Sequence, residues 1–144
     1  MPKATEQAID KDGWLHSGDI CCRTPDGYFK VTGRLKDMII RGGENLYPRE
    51  IEEFYLTHSK VRDVQVIGVP DGQYGEEIMA SIILKKGETM TEDEMRAYIA
   101  ANMARHKVPR YIDFVESFPM NAAGKILKYK MRENAVEKLG LKKA

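Results

Sequence analysis

The sequence has two cysteines, three histidines and one tryptophan in 144 residues, and each scarcity excludes something. Cys21 and Cys22 are adjacent, which offers neither a disulfide framework nor the spaced pairs of a zinc site. His16, His58 and His106 are scattered, so no metal ligation is expected. No apolar run approaches the roughly 18 residues that a membrane helix needs, so no membrane span is expected. The opening MPKATEQAIDKDG lacks the apolar core of a secretory signal. Internal repeats and low-complexity tracts are absent, and no basic run is interleaved with aromatics, so nucleic acid is not an expected partner. The expected compartment is the cytoplasm.

What is present suffices for one packed domain with a flanking piece of another. Hydrophobic residues make up 42% of the chain and charged residues 31%. The net charge of +1 hides an asymmetry. Residues 105–144 carry ten Lys/Arg and four Asp/Glu, a balance of +6, against −5 over residues 1–104. A basic quarter suits an anionic small molecule as well as a solvated helix.

Local signals divide the chain into short elements. Residues 1–19 read as irregular approach chain. Strands are expected at Ile20–Arg23 and Tyr28–Thr32, joined by the Pro25-Asp26-Gly27 turn. Residues 33–37 read as a connector and as the domain junction. A second small hairpin, Met38–Ile40 with Asn45–Tyr47, closes at Gly42-Gly43. Pro48 opens a helix whose apolar face is Ile51, Phe54, Tyr55 and His58. Val64–Val69, Ile78–Leu84 and Tyr111–Val115 read as core strands. Thr91 with Glu94 forms a capping box ahead of the stripe Met95, Tyr98, Ile99 and Met103. A last helix, Leu127–Leu139, ends at Gly140. Met38, Ile39, Ile51, Phe54, Ile67, Val69, Ile82 and Phe114 are expected in the core. The pattern predicts an α+β domain: a small mixed sheet of about three core strands plus a hairpin, covered by helices.

Four stretches carry chemistry: GWLHSGD ending at Asp19, GRLKDMIIRGGENLYPREIE from Gly33 to Glu52, HKVPRYIDFV from His106, and FPMNAAGKILKYKMR containing Gly124-Lys125. In this order and spacing they resemble the C-terminal motifs of adenylate-forming enzymes, which include acyl-CoA synthetases, peptide-synthetase adenylation domains and luciferases. The resemblance runs from Gly13 onward and covers only the end of such an enzyme. Its Ser/Thr/Gly-rich phosphate loop, acyl pocket and adenine-holding segment have no counterpart here. The resemblance therefore implies a strip of the large AMP-binding domain over residues 1–35, with its hairpin at 20–32, followed by the mobile C-terminal domain over 36–144. Gly33, where many relatives carry Asp, and Arg41 bear on substrate class rather than on membership.

The implied reaction joins a carboxylic acid to ATP, with magnesium, and then to coenzyme A. Lys125 matches the adenylation lysine, a compact positive charge for the α-phosphoryl group; by itself it is one solvated lysine in a loop kept slim by Gly124. Asp19 matches the ribose-binding carboxylate, although Ser-Gly-Asp is also plain turn chemistry. Arg34 is expected near the same nucleotide or in a structural ion pair. Lys36 matches the hinge about which the domain turns between half-reactions. Gly42, Gly43 and Glu44 match the turn that faces the pantetheine arm. Tyr74 matches a position where some relatives stack an aromatic on the adenine, and Lys107 and Arg110 are placed to meet phosphates. The implied partners are the small-molecule substrates and the rest of the large domain. The implied function is the C-terminal part of a fatty-acid–CoA ligase, inactive alone. A non-catalytic nucleotide- or protein-binding module and a peptide-synthetase adenylation domain are the alternatives.

Overall fold

The computed structural model describes residues 2–142, and the chain divides into two compact units after Lys36. The first unit holds α1 (Pro2–Ala8) and an antiparallel hairpin of β1 (Asp19–Arg23) and β2 (Phe29–Arg34). The helix corrects the expectation of irregular chain over residues 1–19. Pro2 is tolerated in a first helical turn and Lys, Ala, Glu and Gln after it are good helix formers, but seven residues are too few to display an apolar period. Gly33 and Arg34 also lie in β2 and not in a connector; they pair with Ile20 and Asp19. The expected turn forms, with Gly27 at φ +93° and the Thr24 hydroxyl accepting the Tyr28 N–H at 3.1 Å. Trp14, Leu15, Tyr28 and Phe29 all stand exposed on this unit.

The second unit contains β3 (Ile39–Arg41), β4 (Glu44–Leu46), α2 (Pro48–Tyr55), β5 (Val61–Asp71), β6 (Gly75–Leu84), α3 (Glu92–Asn102), β7 (Tyr111–Phe114) and α4 (Lys128–Leu139). Its sheet is mixed, as expected. The order is β4-β3-β6-β5, and β7 runs parallel to β6 over Met79–Ile82. β5 and β6 extend beyond the expected strands, because their hairpin continues through polar residues from Val69–Glu77 to Asp71–Gly75. The near-continuous apolar run of β6 reflects burial on both sides. Val64, Val66, Ile78, Ala80, Ile82 and Ile112 pack with Ile51, Tyr55, Met95 and Ile99 of α2 and α3. Ile67, Val69, Met79 and Ile83 pack with Met131 and Ala135 of α4. Of the expected core residues, Met38, Phe54 and Phe114 are only half-buried; in β7 it is Ile112 that points inward.

Helix ends follow the local chemistry. Pro48 sits in the first turn of α2. The Thr91–Glu94 capping box is complete, and its hydrogen bonds hold Glu94 below the usual carboxylate range. Gly140 adopts φ +61° at the end of α4, with Leu141 N–H donating to Val136 O at 3.0 Å.

β5 is an edge strand, and its outward backbone groups need partners. Val66 N–H donates to Glu52 Oε1 at 2.8 Å, and Val66 O accepts from Lys128 Nζ at 3.0 Å. The same lysine and glutamate pair at 2.6 Å. Arg132 Nε donates to Gly68 O at 2.8 Å. Replacing Glu52 by alanine strands both Val66 N–H and a mostly buried ammonium. Urea melts of Glu52→Ala are expected to show a loss of about 2–3 kcal/mol, with Glu52→Gln losing less; a change below about 0.5 kcal/mol overturns this account of the edge.

Candidate functional site

The segment before α4 forms a tight loop around Asn121. Its side-chain Oδ1 accepts the N–H groups of Ala123 at 3.0 Å and Lys125 at 2.9 Å. Its own N–H donates to Lys125 O at 2.9 Å, and Gly124 N–H donates to Asn121 O. Gly124 takes φ +75° with open space where a side chain would be. The bridge between Met120 and Ile126 closes the base. Lys125 is exposed, and among the described residues its ammonium makes no hydrogen bond or ion pair. The main chain is pinned while the charge is left unpartnered.

Gly42 and Gly43 make the two-residue turn between β3 and β4, at φ +58° and +86°. Positive φ at both positions is the signature of a type I′ hairpin. The two glycines are not equivalent. A side chain on Gly42 would meet the Tyr74 ring at 3.3 Å, whereas Gly43 faces open space. Gly42 N–H also donates to Tyr74 O at 2.9 Å. Gly42 thus makes room for Tyr74, and the space beside Gly43 is open.

The hairpin is joined to β6 by a single backbone register pair, Arg41 with Gly75, so side chains complete the attachment. Ile40 N–H donates to Glu76 Oε2 at 2.7 Å. The Glu76 carboxylate occupies the space that a side chain at Gly68 would take, at 2.7 Å. Arg41 grips Glu77 with two hydrogen bonds, Nε–Oε2 at 2.9 Å and Nη2–Oε1 at 2.8 Å, and Glu77 raises the Arg41 pKa. The Arg41 guanidinium also lies 4.8 Å from the centre of the Tyr74 ring.

The other expected coenzyme A residues surround this group but already carry partners. Arg110 pairs with Asp71 at 2.9 Å. The Tyr74 and Gln73 amides, then Arg110, hold the Asp71 carboxyl below its usual range. Lys107 pairs with Glu50, and Glu44 faces His106 at 3.6 Å. No hydrogen bond or ion pair among the described residues links the Lys125 loop to this group. In the first unit, Asp19 and Arg34 are cross-strand partners joined at 3.1 Å, the structural ion pair that the sequence left open for Arg34. Lys36 is exposed in the short 3-10 turn Leu35–Asp37. Among the described residues, no group of three or more His, Cys, Asp or Glu is placed to hold a metal ion.

Sequence reasoning missed Asn121, Glu76, Glu77 and Lys128 as organising residues. Two glutamates opening an otherwise apolar strand were a readable signal, since a charge in such a run needs a partner. Their partners, 36 residues away in β3, were not readable.

The family model of the AMP-binding enzyme C-terminal domain matches residues 50–125. The chain is 56% identical over 138 residues to YngI of Bacillus subtilis, named as a candidate acyl-CoA synthetase, covering 96% of this chain and 25% of that protein. It is 48% identical over 140 residues to the human mitochondrial medium-chain acyl-CoA ligase ACSF2, covering 97% of this chain and 23% of the ligase. ATP-bound MatB from Rhodopseudomonas palustris superposes with a TM-score of 0.90 at 34% identity, covering 99% of this chain and 28% of that one. The chain spans about a quarter of the length of the relatives it matches.

The unequal surroundings of the two glycines give a thermal-melt prediction. Gly42→Ala adds a tight 3.3 Å contact with the Tyr74 ring to the left-handed strain that Gly43→Ala carries alone, about 1–2 kcal/mol. The Gly42 variant is expected to melt several degrees below the Gly43 variant. Equal melting temperatures overturn the distinction.

Proposed function

The chain belongs to the C-terminal domain family of the AMP-binding enzymes, and from that premise we propose that it is the C-terminal part of an acyl-CoA ligase acting on a fatty or related carboxylic acid. In the first half-reaction a carboxylate oxygen bonds to the α-phosphorus of ATP and pyrophosphate leaves. In the second, the coenzyme A sulfur bonds to the acyl carbon and AMP leaves. Lys125 supplies positive charge to the first step. The observation that carries the reading is its loop: Asn121 pins the backbone on both sides of Gly124, while the ammonium is unpaired among the described residues. A charge already offset by a carboxylate stabilises an incoming phosphoryl group less.

Residues 1–35 are the end of the large domain in this reading, and the exposed Trp14, Leu15, Tyr28 and Phe29 are the surface that the rest of that domain covers. Asp19 binds the ribose hydroxyls, with Arg34 beside it, and Lys36 is the hinge. The second step is served by Gly43 and Glu44 at the turn, with Gly42 making room for Tyr74, and by Lys107 and Arg110 exchanging Glu50 and Asp71 for phosphate. Magnesium enters with ATP and is held outside this chain. The name of the human relative supports an acid of medium chain length. The two exposed free thiols, Cys21 and Cys22, suit a reducing compartment, for which we propose the cytoplasm.

In the complete enzyme, Lys125→Ala is expected to slow acyl-adenylate formation by about a hundredfold or more, read as pyrophosphate exchange. Thioester formation from a supplied acyl-adenylate is expected to fall far less. Equal loss in both halves overturns the assignment. This chain alone, lacking a phosphate cradle, is expected to make no acyl-adenylate; product from the purified chain overturns its placement as a partial enzyme.

A further inference from the structure

We infer that Arg41 is a positioning residue for the nucleotide end of coenzyme A: gripped by Glu77, it holds the Tyr74 ring beside the Gly42-Gly43 turn as a stacking platform. The inference rests on the coenzyme A reading above.

Three constraints converge on Tyr74. Its carbonyl accepts Gly42 N–H, and its own N–H is held by Asp71 Oδ1 at 2.8 Å. The ring lies beside Gly42, where an added side chain would meet it at 3.3 Å. The Arg41 guanidinium lies 4.8 Å from the ring centre. Tyr74 as a residue nevertheless remains 38% exposed. A ring fixed in advance but still accessible suits a planar ligand, because little side-chain freedom is lost on binding.

Arg41 reaches this position because Glu77 holds it there. Glu77 is 2% exposed, and a carboxylate at that depth requires a matched charge. If neutralising it were the whole task, a lysine would serve. Only a planar guanidinium can fork onto both carboxylate oxygens and lie against an aromatic ring at once. The fork fixes the plane, and the plane fixes the ring.

The test compares coenzyme A with pantetheine, which carries the same thiol without the nucleotide, as acceptors for the complete enzyme. For Arg41→Lys, the KM for coenzyme A is expected to rise about tenfold, and the KM for pantetheine to stay within about twofold. The kcat at saturating coenzyme A is expected to change much less than the KM. A second variant, Arg41→Met with Glu77→Met, removes the buried pair together, a replacement that folds often tolerate, and is expected to show the same selective loss. Tyr74→Leu should match both. A parallel rise for the two thiols, or no change in either, in a variant with a wild-type melting temperature overturns the role of Arg41. Wild-type coenzyme A kinetics in Arg41→Lys overturn it too. A wild-type enzyme that forms no thioester with either thiol overturns the coenzyme A reading beneath it.

Discussion

The open edge of β5 is the constraint on which the second unit depends. Any strand at the end of a sheet leaves alternate N–H and C=O groups pointing away from its neighbour, and in a small domain they must be answered or left as a sticky margin. Here Glu52 from α2 and Lys128 from α4 meet at Val66 and satisfy both of its outward groups. α2 packs with one core cluster and α4 with the other, so the pair ties the two helical layers together around the sheet edge. It also explains a lysine at the start of α4, where the helix dipole disfavours a cation: the Glu52 carboxylate, 2.6 Å away, offsets that cost. With Lys128 fixed, the loop that ends in Lys125 has an anchored exit.

The glycine hairpin meets a different difficulty. β3 and β4 have three residues each, and the hairpin shares one register pair with β6. So few backbone bonds would leave it loosely hinged. Side chains supply the rest: Glu76 takes the Ile40 amide, Glu77 takes Arg41, and Tyr74 fills the space beside Gly42. The turn itself needs positive φ at both positions, so its glycines are demanded by backbone geometry before any ligand is considered. Only the open surroundings of Gly43 go beyond that demand.

Most of the fold was legible because its signals are local. Pro48, the Thr91–Glu94 box, Gly140, Pro25-Asp26-Gly27 and Gly42-Gly43 each specify a conformation within four residues, and each does so in the structure. α1 escaped because a two-turn helix shows no period. The ties that hold the functional segments in place were illegible for a different reason. Glu52 and Lys128 are 76 residues apart, and Arg41 and Glu77 are 36 apart; nothing in either neighbourhood names the other. Asn121 is the instructive exception. Its contacts reach only two and four residues ahead, and an Asx-type turn before Gly-Lys could have been read directly.

The lopsided charge of the sequence also takes on a different meaning in three dimensions. A basic C-terminal quarter suggested an anion-binding surface, yet much of that charge is already paired. Lys107, Arg110, Lys128 and Lys138 each face a carboxylate, and Arg132 holds a backbone carbonyl. A paired cation presents a dipole to its surroundings, and the field of a dipole fades faster with distance than that of a single charge. Three acids from residues 1–104, Glu50, Glu52 and Asp71, reach across to pair with this basic quarter. Lys125 stands outside that arrangement. Its loop is organised by amide groups of Asn121, which carry no net charge. Bracing the same loop with an aspartate would have satisfied the same two amides while adding a negative charge to the loop. An asparagine holds the backbone equally well and leaves the full positive charge available to an incoming anion.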